Sequence, residues 1–362
     1  MKVEREIAGI SITFATGTFL PAYACACLGS SCHHAATAFL LATSLLLIYM
    51  MAMACKPQKG SAAQTGASLL MILCCGAFCG FSAQITSFAA SGPGWIESQA
   101  LMSGRAMQAA IDRIPFNDST TSALIKALLT GEKADIPSET VSAFRESGAA
   151  HILALSGMHL GIIYMMINRA LSILGNTAGA KKARSCITVC LCGFYTMATG
   201  SGASIVRAFL FILLGECAAI TGRRHNIRIT IMSAMLIQLT ISPLSIKNIG
   251  FQLSYAAMAG IAYLHPLLKD LWPLRSKLWE SATLSIACQI TTGPLAYIYF
   301  GTFPKYFLLT NLIALPITGL LIPAAAATLV LSAAGIYPGI LIRATEKIAR
   351  TLIWSLGIIS EM

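Results

Sequence analysis

Long apolar runs separated by short polar breaks fill most of this chain, and one hydrophilic stretch interrupts them. A membrane-spanning helix needs about 20 apolar residues. Runs of this kind lie near 7–28, 35–55, 67–90, 151–174, 185–201, 203–221, 227–243, 249–266, 281–300 and 306–333. A last segment, 338–358, sets Arg343, Glu346, Lys347 and Arg350 among Ile, Leu and Trp354. That pattern suits an interfacial amphipathic helix at least as well as a span. The expected architecture is all-α, a polytopic integral membrane bundle of about ten or eleven transmembrane or membrane-associated helices.

The hydrophilic stretch is 91–150, so the chain divides into a three-helix membrane segment (1–90), this polar segment (91–150) and a second membrane domain (151–362). Two amphipathic helices are expected in the polar segment. One runs over roughly 97–130, with Leu101, Ile111, Leu124, Leu128 and Leu129 on its apolar side. The other follows "DIPSET", capped by Asp135 or Ser138, and ends at Gly148.

Composition agrees with a membrane protein. The 362 residues are 56% hydrophobic and 11% charged, against about 25% charged in soluble domains, which excludes a large soluble α/β protein. The net charge of +11 is first a matter of topology, because Lys and Arg collect in cytoplasmic loops. With the N-terminus in the cytoplasm, the inside loops carry Lys56 and Lys59, then Lys181, Lys182 and Arg184, then Arg223, Arg224 and Arg228, then Lys269, Arg275 and Lys277. The outside loops are poor in base, with only Lys247 and Lys305 in the short ones. Residues 91–150 then fall outside, in a multi-pass protein of the cytoplasmic (inner) membrane. The first apolar run reads as a retained helix rather than a removed signal peptide.

Twelve cysteines are present, most of them in apolar runs, where cysteine acts as a small hydrophobe. Cys25, Cys27, Cys32, His33 and His34 form the one Cys/His cluster, with a spacing that fits no zinc pattern. No metal and no cofactor is expected.

The stretch "AAHILALSGMHLGII" (149–163) is apolar yet carries His151, Ser156 and His159. On a continuous helix the two histidines share a face, and Ser156 lies about 60° from His159. Gly157 and Gly161 fall on the opposite side, at a spacing that lets a neighbouring helix approach closely. Polar groups within a membrane face a bundle interior or a wet cavity. Three readings compete: hydrogen bonds between helices, a polar path, or a serine nucleophile with a histidine base. No G-x-S-x-G turn or supporting acid accompanies the last. Arg207 stands one turn into the run at 203–221, where a guanidinium suits phosphate oxygens; Glu216 sits farther along the same helix, on another face. Gln252 and Ser254 start another span, and Asn311 starts the run in which Pro316 is expected to break the helix. Most of these groups project to the outer half, as in a funnel open to the outside.

These residues resemble a known family. "ALLTGEKADIPSETVSAFRESGAAHILALSGMHLGII" (127–163) resembles the signature of the ComEC competence family, with H-x-L-A-x-S-G-x-H at its core. "SIVRA" (204–208), "GFQLSYAAMAGI" (250–261) and "QITTGPLAYIYFGTFPKYFLLTNLIALPI" (289–317) match three further blocks in order. The resemblance covers roughly 120–330. It implies a polytopic channel that carries single-stranded DNA across the cytoplasmic membrane in natural transformation. Many relatives also carry an outer OB-type domain and a metallo-β-lactamase-like domain. At 91–150 there is too little chain for an OB barrel, and no H-x-H-x-D-H motif occurs. The expectation is therefore a channel core.

The expected function is passage of incoming single-stranded DNA, not enzymatic catalysis. Arg207 meets phosphates, and His151, Ser156, His159, Gln252, Ser254 and Asn311 line or shape the path. No P-loop is present, so the expected partners besides DNA and membrane lipid are a cytoplasmic helicase-type ATPase and an extracytoplasmic DNA receptor. A separate nuclease is needed if one strand is degraded. The rival readings are an intramembrane serine hydrolase using Ser156 with His159 or His151, and a small-solute transporter.

Overall fold

The structure, a computed structural model of the full chain, describes residues 2–28, 69–70, 72–79, 95–175, 177–222, 226–271, 276–301 and 305–362. Fourteen α-helices and no strands occur among the described residues. In chain order they are α1 (Lys2–Leu28), α2 (Trp95–Asp112), α3 (Ser119–Thr130), α4 (Ser138–Glu146), α5 (Ala150–Leu153), α6 (Gly157–Ala170) and α7 (Ala178–Ala198). There follow α8 (Ala203–Ile220), α9 (Ile227–Ile241), α10 (Ile249–Ala259), α11 (His265–Lys269), α12 (Lys277–Phe300), α13 (Phe307–Ala333) and α14 (Gly339–Ser360). The span expected at 35–55, and Lys56, Lys59, Arg223, Arg224, Arg275, Cys32, His33 and His34, lie outside the described residues.

Three stretches among the described residues are long and apolar enough to cross a membrane: Gly157–Leu174, Ala203–Ile220 and Phe307–Ala333. A long apolar helix can cross a membrane because it satisfies its own backbone groups away from water.

The chain forms two compact units, 1–92 with 224–255, and 93–223 with 256–362. In the first, α1 packs on α9 and on the 3₁₀ turn Pro243–Lys247. Ser11 Oγ donates to the Met232 carbonyl at 3.0 Å, and Arg228 pairs with Glu4 at 3.1 Å. A Cβ added at Gly17 would collide with the Leu73 carbonyl, so the backbones touch there. That close approach is the usual function of small residues between membrane helices.

In the second unit α3 is central. Asp118 caps it by accepting from the Thr120 N–H, and Gly131 ends it in the left-handed region at φ 83°, which a Cβ would disfavour. Nine of its residues are buried. Leu124 and Leu128 share a core with Phe144, Ile152, Leu321, Leu352 and Leu356, so α3 is enclosed by α4, α5, α13 and α14. Next to it, α13 and α14 form an antiparallel hairpin turned at Gly335 (φ 79°). Thr328 and Thr345 hydroxyls meet at 3.2 Å near the turn, and Tyr306 Oη donates to the Met362 carbonyl at the far end, 2.9 Å.

Several sequence expectations change. The helix expected over 97–130 is two helices, broken at 113–118, where Pro115 has no N–H to give a helix. Pro137 occupies the N-cap of α4 without a side-chain cap; Asp135 instead pairs with Lys126 at 2.6 Å. The α7 helix starts at Ala178 because Thr177 caps it, so Lys181, Lys182 and Arg184 lie in its first turns rather than in a loop. Pro316 does not break α13, which runs through both Pro316 and Pro323. A proline removes one donor but leaves the φ angle helical, and the cost is one free carbonyl rather than an end.

Candidate functional site

The stretch 149–163 is not one helix. Gly148 turns the chain at φ 84°, α5 lasts four residues, Ala154 is extended (ψ 130°), and Ser156 is the extended N-cap of α6. Serine is a strong N-cap because its short polar side chain reaches the free N–H groups of the first turn. The histidines therefore stand on two elements, and the shared face expected for them does not form. Ser156 N–H donates to His159 Nδ1 at 3.2 Å, and Ser156 Oγ lies 2.9 Å from the same nitrogen. This is a capping box with histidine at the third position, where Glu or Gln is usual.

His159 is fully buried (0% exposed). With Nδ1 accepting, the proton of a neutral ring sits on Nε2, which has no partner among the described residues. His151 is exposed and sets Nδ1 3.2 Å from the Gly148 carbonyl. The serine and His159 thus touch as expected, but Nδ1 is already shared with a backbone N–H, and no carboxylate reaches Nε2 among the described residues.

Arg207 lies on α8 and is 7% exposed. A Cβ added at Gly157 would lie 3.4 Å from Ala208 Cβ and 3.6 Å from Arg207 Nη2. Gly157 thus faces α8 at ordinary van der Waals distance, whereas nothing comes within 4 Å of a Cβ built on Gly161 among the described residues. The consequence is electrostatic. The guanidinium stands beside the first residue of α6, where the helix dipole is positive. Both features favour an anion at this place.

Glu216 on α8, 8% exposed, accepts Tyr164 Oη (α6) at 2.6 Å and Ser185 Oγ (α7) at 2.5 Å. One carboxylate ties three helices together. Sequence reasoning noted Glu216 but not its partners. The available signal was a hydroxyl in each neighbouring apolar run, a weak one because such residues are common there. Asn311 on α13 leaves Oδ1 without a partner among the described residues. Gln252 and Ser254 belong to the first unit, where Gln252 Nε2 donates to the Ile246 carbonyl at 2.8 Å and Ser254 is buried. The structure brings Ser156, Gly157, His159 and Arg207 together. No group of three or more potential metal ligands occurs among the described residues.

Outside the spans, Lys126 bridges Asp112 at 2.7 Å and Asp135 at 2.6 Å. Its ammonium is held above the usual lysine value, first by the hydrogen bond to Asp112 and then by that to Asp135.

Residues 128–362, from the last turns of α3 to the end of α14, match the family model described as "Competence protein". The chain belongs to the competence protein family. The chain is also similar to two curated proteins. It is 24% identical over 206 residues to ComE operon protein 3 of Bacillus subtilis, covering 57% of this chain and 25% of that protein. It is 21% identical over 253 residues to the uncharacterized protein YcaI of Escherichia coli, covering 63% of this chain and 31% of that protein. The chain thus matches about a quarter to a third of the length of these curated relatives. No solved structure matches it. The competence family match includes the α5–α6 turn, Arg207, Glu216 and the α13–α14 hairpin.

Proposed function

We propose that this competence family chain is the channel core that passes single-stranded DNA inward across the cytoplasmic membrane during natural transformation. The observation that carries this reading is the convergence of the Arg207 guanidinium and the positive end of α6 at Gly157. Two positive features buried in an apolar bundle favour a passing phosphate. Membership of the competence family supports DNA as the polyanion. The loop charges support an N-terminus in the cytoplasm and residues 91–150 on the outer side. The driving force comes from a cytoplasmic helicase-type ATPase and capture from an outer DNA receptor, with a separate nuclease if one strand is degraded.

The test is deletion of the gene in a naturally transformable host, read as internalised labelled DNA and transformation frequency. Both are expected to fall to background. Normal transformation in the deletion strain overturns the proposal. Arg207→Gln is expected to lower uptake at unchanged membrane protein level, with Arg207→Lys in between.

The contact of Ser156 Oγ with His159 Nδ1 favours a second reading, an intramembrane serine hydrolase. Labelling of the wild type, but not of Ser156→Ala, by a serine-directed fluorophosphonate supports that reading. Unchanged DNA uptake by Ser156→Ala supports the channel.

A further inference from the structure

One face of α14 is largely exposed among the described residues. Its buried face carries Ile342, Ala349, Leu352 and Leu356. The opposite face forms a cleft of about 420 Å³ lined by Arg343, Glu346, Lys347, Arg350, Thr351 and Trp354. Arg350 is occupied by Glu346 at 3.1 Å and Asp118 at 3.7 Å. Arg343 and Lys347 are exposed, and their side chains have no hydrogen bond or ion pair among the described residues. Trp354 is 67% exposed two turns farther on.

Such a face normally lies against lipid headgroups. The α13–α14 hairpin argues against that position. The hairpin is tied at both ends, by Thr328 with Thr345 and by Tyr306 with Met362. Counting antiparallel from either tie puts Arg350 level with about residues 318–323, the middle of α13. If α13 crosses the membrane, Lys347 and Arg350, level with about residues 318–326, lie at hydrocarbon depth, and Arg343, level with about residues 325–330, stands nearer the end of α13. A second feature meets them there. The non-helical turn at 113–118, which enters from the segment placed on the outer side, reaches α14 through Asn117, which donates to Glu346 at 3.2 Å, and through Asp118. Arg113 and Asn117 in that turn are exposed. Irregular backbone and charge at this depth are tolerated only inside protein or beside water.

We infer that the Arg343–Lys347–Trp354 face of α14 is a wall of the water-filled path and binds the translocating single strand. This rests on the channel reading above and extends it to a face that the sequence presents as an interfacial helix or a span. Two unengaged cations complement phosphates, and an exposed indole offers a base a stacking face. That combination serves single-stranded nucleic acid without sequence preference.

The experiment uses the full-length chain in a transformable host. Arg343→Gln with Lys347→Gln is expected to reduce internalised labelled DNA about tenfold or more at unchanged membrane level. Arg343→Lys with Lys347→Arg is expected to retain uptake. A photo-crosslinking residue in place of Trp354 is expected to capture labelled single-stranded DNA during uptake. Normal uptake by the neutral pair, or crosslinks at 354 only to lipid or to a second copy of the chain, overturns the inference. The deletion strain separates the two levels. If deletion abolishes uptake while the neutral pair transforms normally, the α14 inference fails and the channel stands. If deletion leaves uptake intact, the channel reading itself fails.

Discussion

The Tyr164 hydroxyl donates to Glu216 Oε1 at 2.6 Å, joining α6 to α8 through a carboxylate buried in the bundle. Apolar contact between helices gains little when the surroundings are also apolar, so hydrogen bonds and close packing must hold them. With Ser185 on the second oxygen, Glu216 fixes the relative positions of three helices, and those helices set where Arg207 and Gly157 meet.

Glu216→Ala leaves both hydroxyls without their acceptor and is expected to destabilise the protein by about 2–3 kcal/mol. Tyr164→Phe removes one bond only and is expected to cost about 1 kcal/mol. Thermal melting in detergent checks both. A wild-type melting temperature for Glu216→Ala contradicts the stapling role.

The Ser156–His159 cap makes a separable prediction. Ser156→Ala is expected to cost about 0.5–2 kcal/mol as a lost N-cap. His159→Gln keeps a side chain able to reach back to the cap N–H and is expected to preserve stability, whereas His159→Leu is not. The same melting series measures this. Equal loss in the Gln and Leu variants contradicts the capping role.

Lys126 links α2 and α3 to the loop before α4, and its folded value is raised above the ordinary 10.5. A raised value means the folded state holds the proton more tightly. The stabilisation is then complete below pH 10.5 and is lost as pH rises above it, through the folded value. Between pH 6 and 9 the contact is expected to contribute a constant amount. Lys126→Met is expected to cost about 1–2 kcal/mol, limited because Asp112 and Asp135 are more than half exposed (54% and 56%) and screened. Melting across that pH range compares the two proteins. A wild-type advantage that changes steadily between pH 6 and 9 rules out this account.

The helical class, the positions of most helices and the family were legible in the sequence, because period, length and the motif at 151–159 are local signals. What was not legible depended on partners. The apolar run 149–163 gave no sign of its break, since Ala154 and Leu155 suit a helix as well as an extended turn, and only Ser156 hinted at a start. Arg207 was singled out for phosphate, but its position against Gly157 follows from how α8 crosses α6. Gln252 and Ser254 read as path residues, yet Gln252 closes a local turn within the first unit. The α14 face was noticed as a pattern. Its level in the bundle came only from its pairing with α13.

The enclosure of α3 also constrains the order of assembly. A ribosome completes α3 long before it makes α13 and α14, the helices that cover it. Until then a buried-type surface of Leu124 and Leu128 stands open, and contacts so distant along the chain form slowly. The second unit therefore cannot finish folding as it is synthesised. A nascent chain stopped before α13 would leave α3 without two of the helices that cover it, which makes the arrival of the α13–α14 hairpin the event that closes this core.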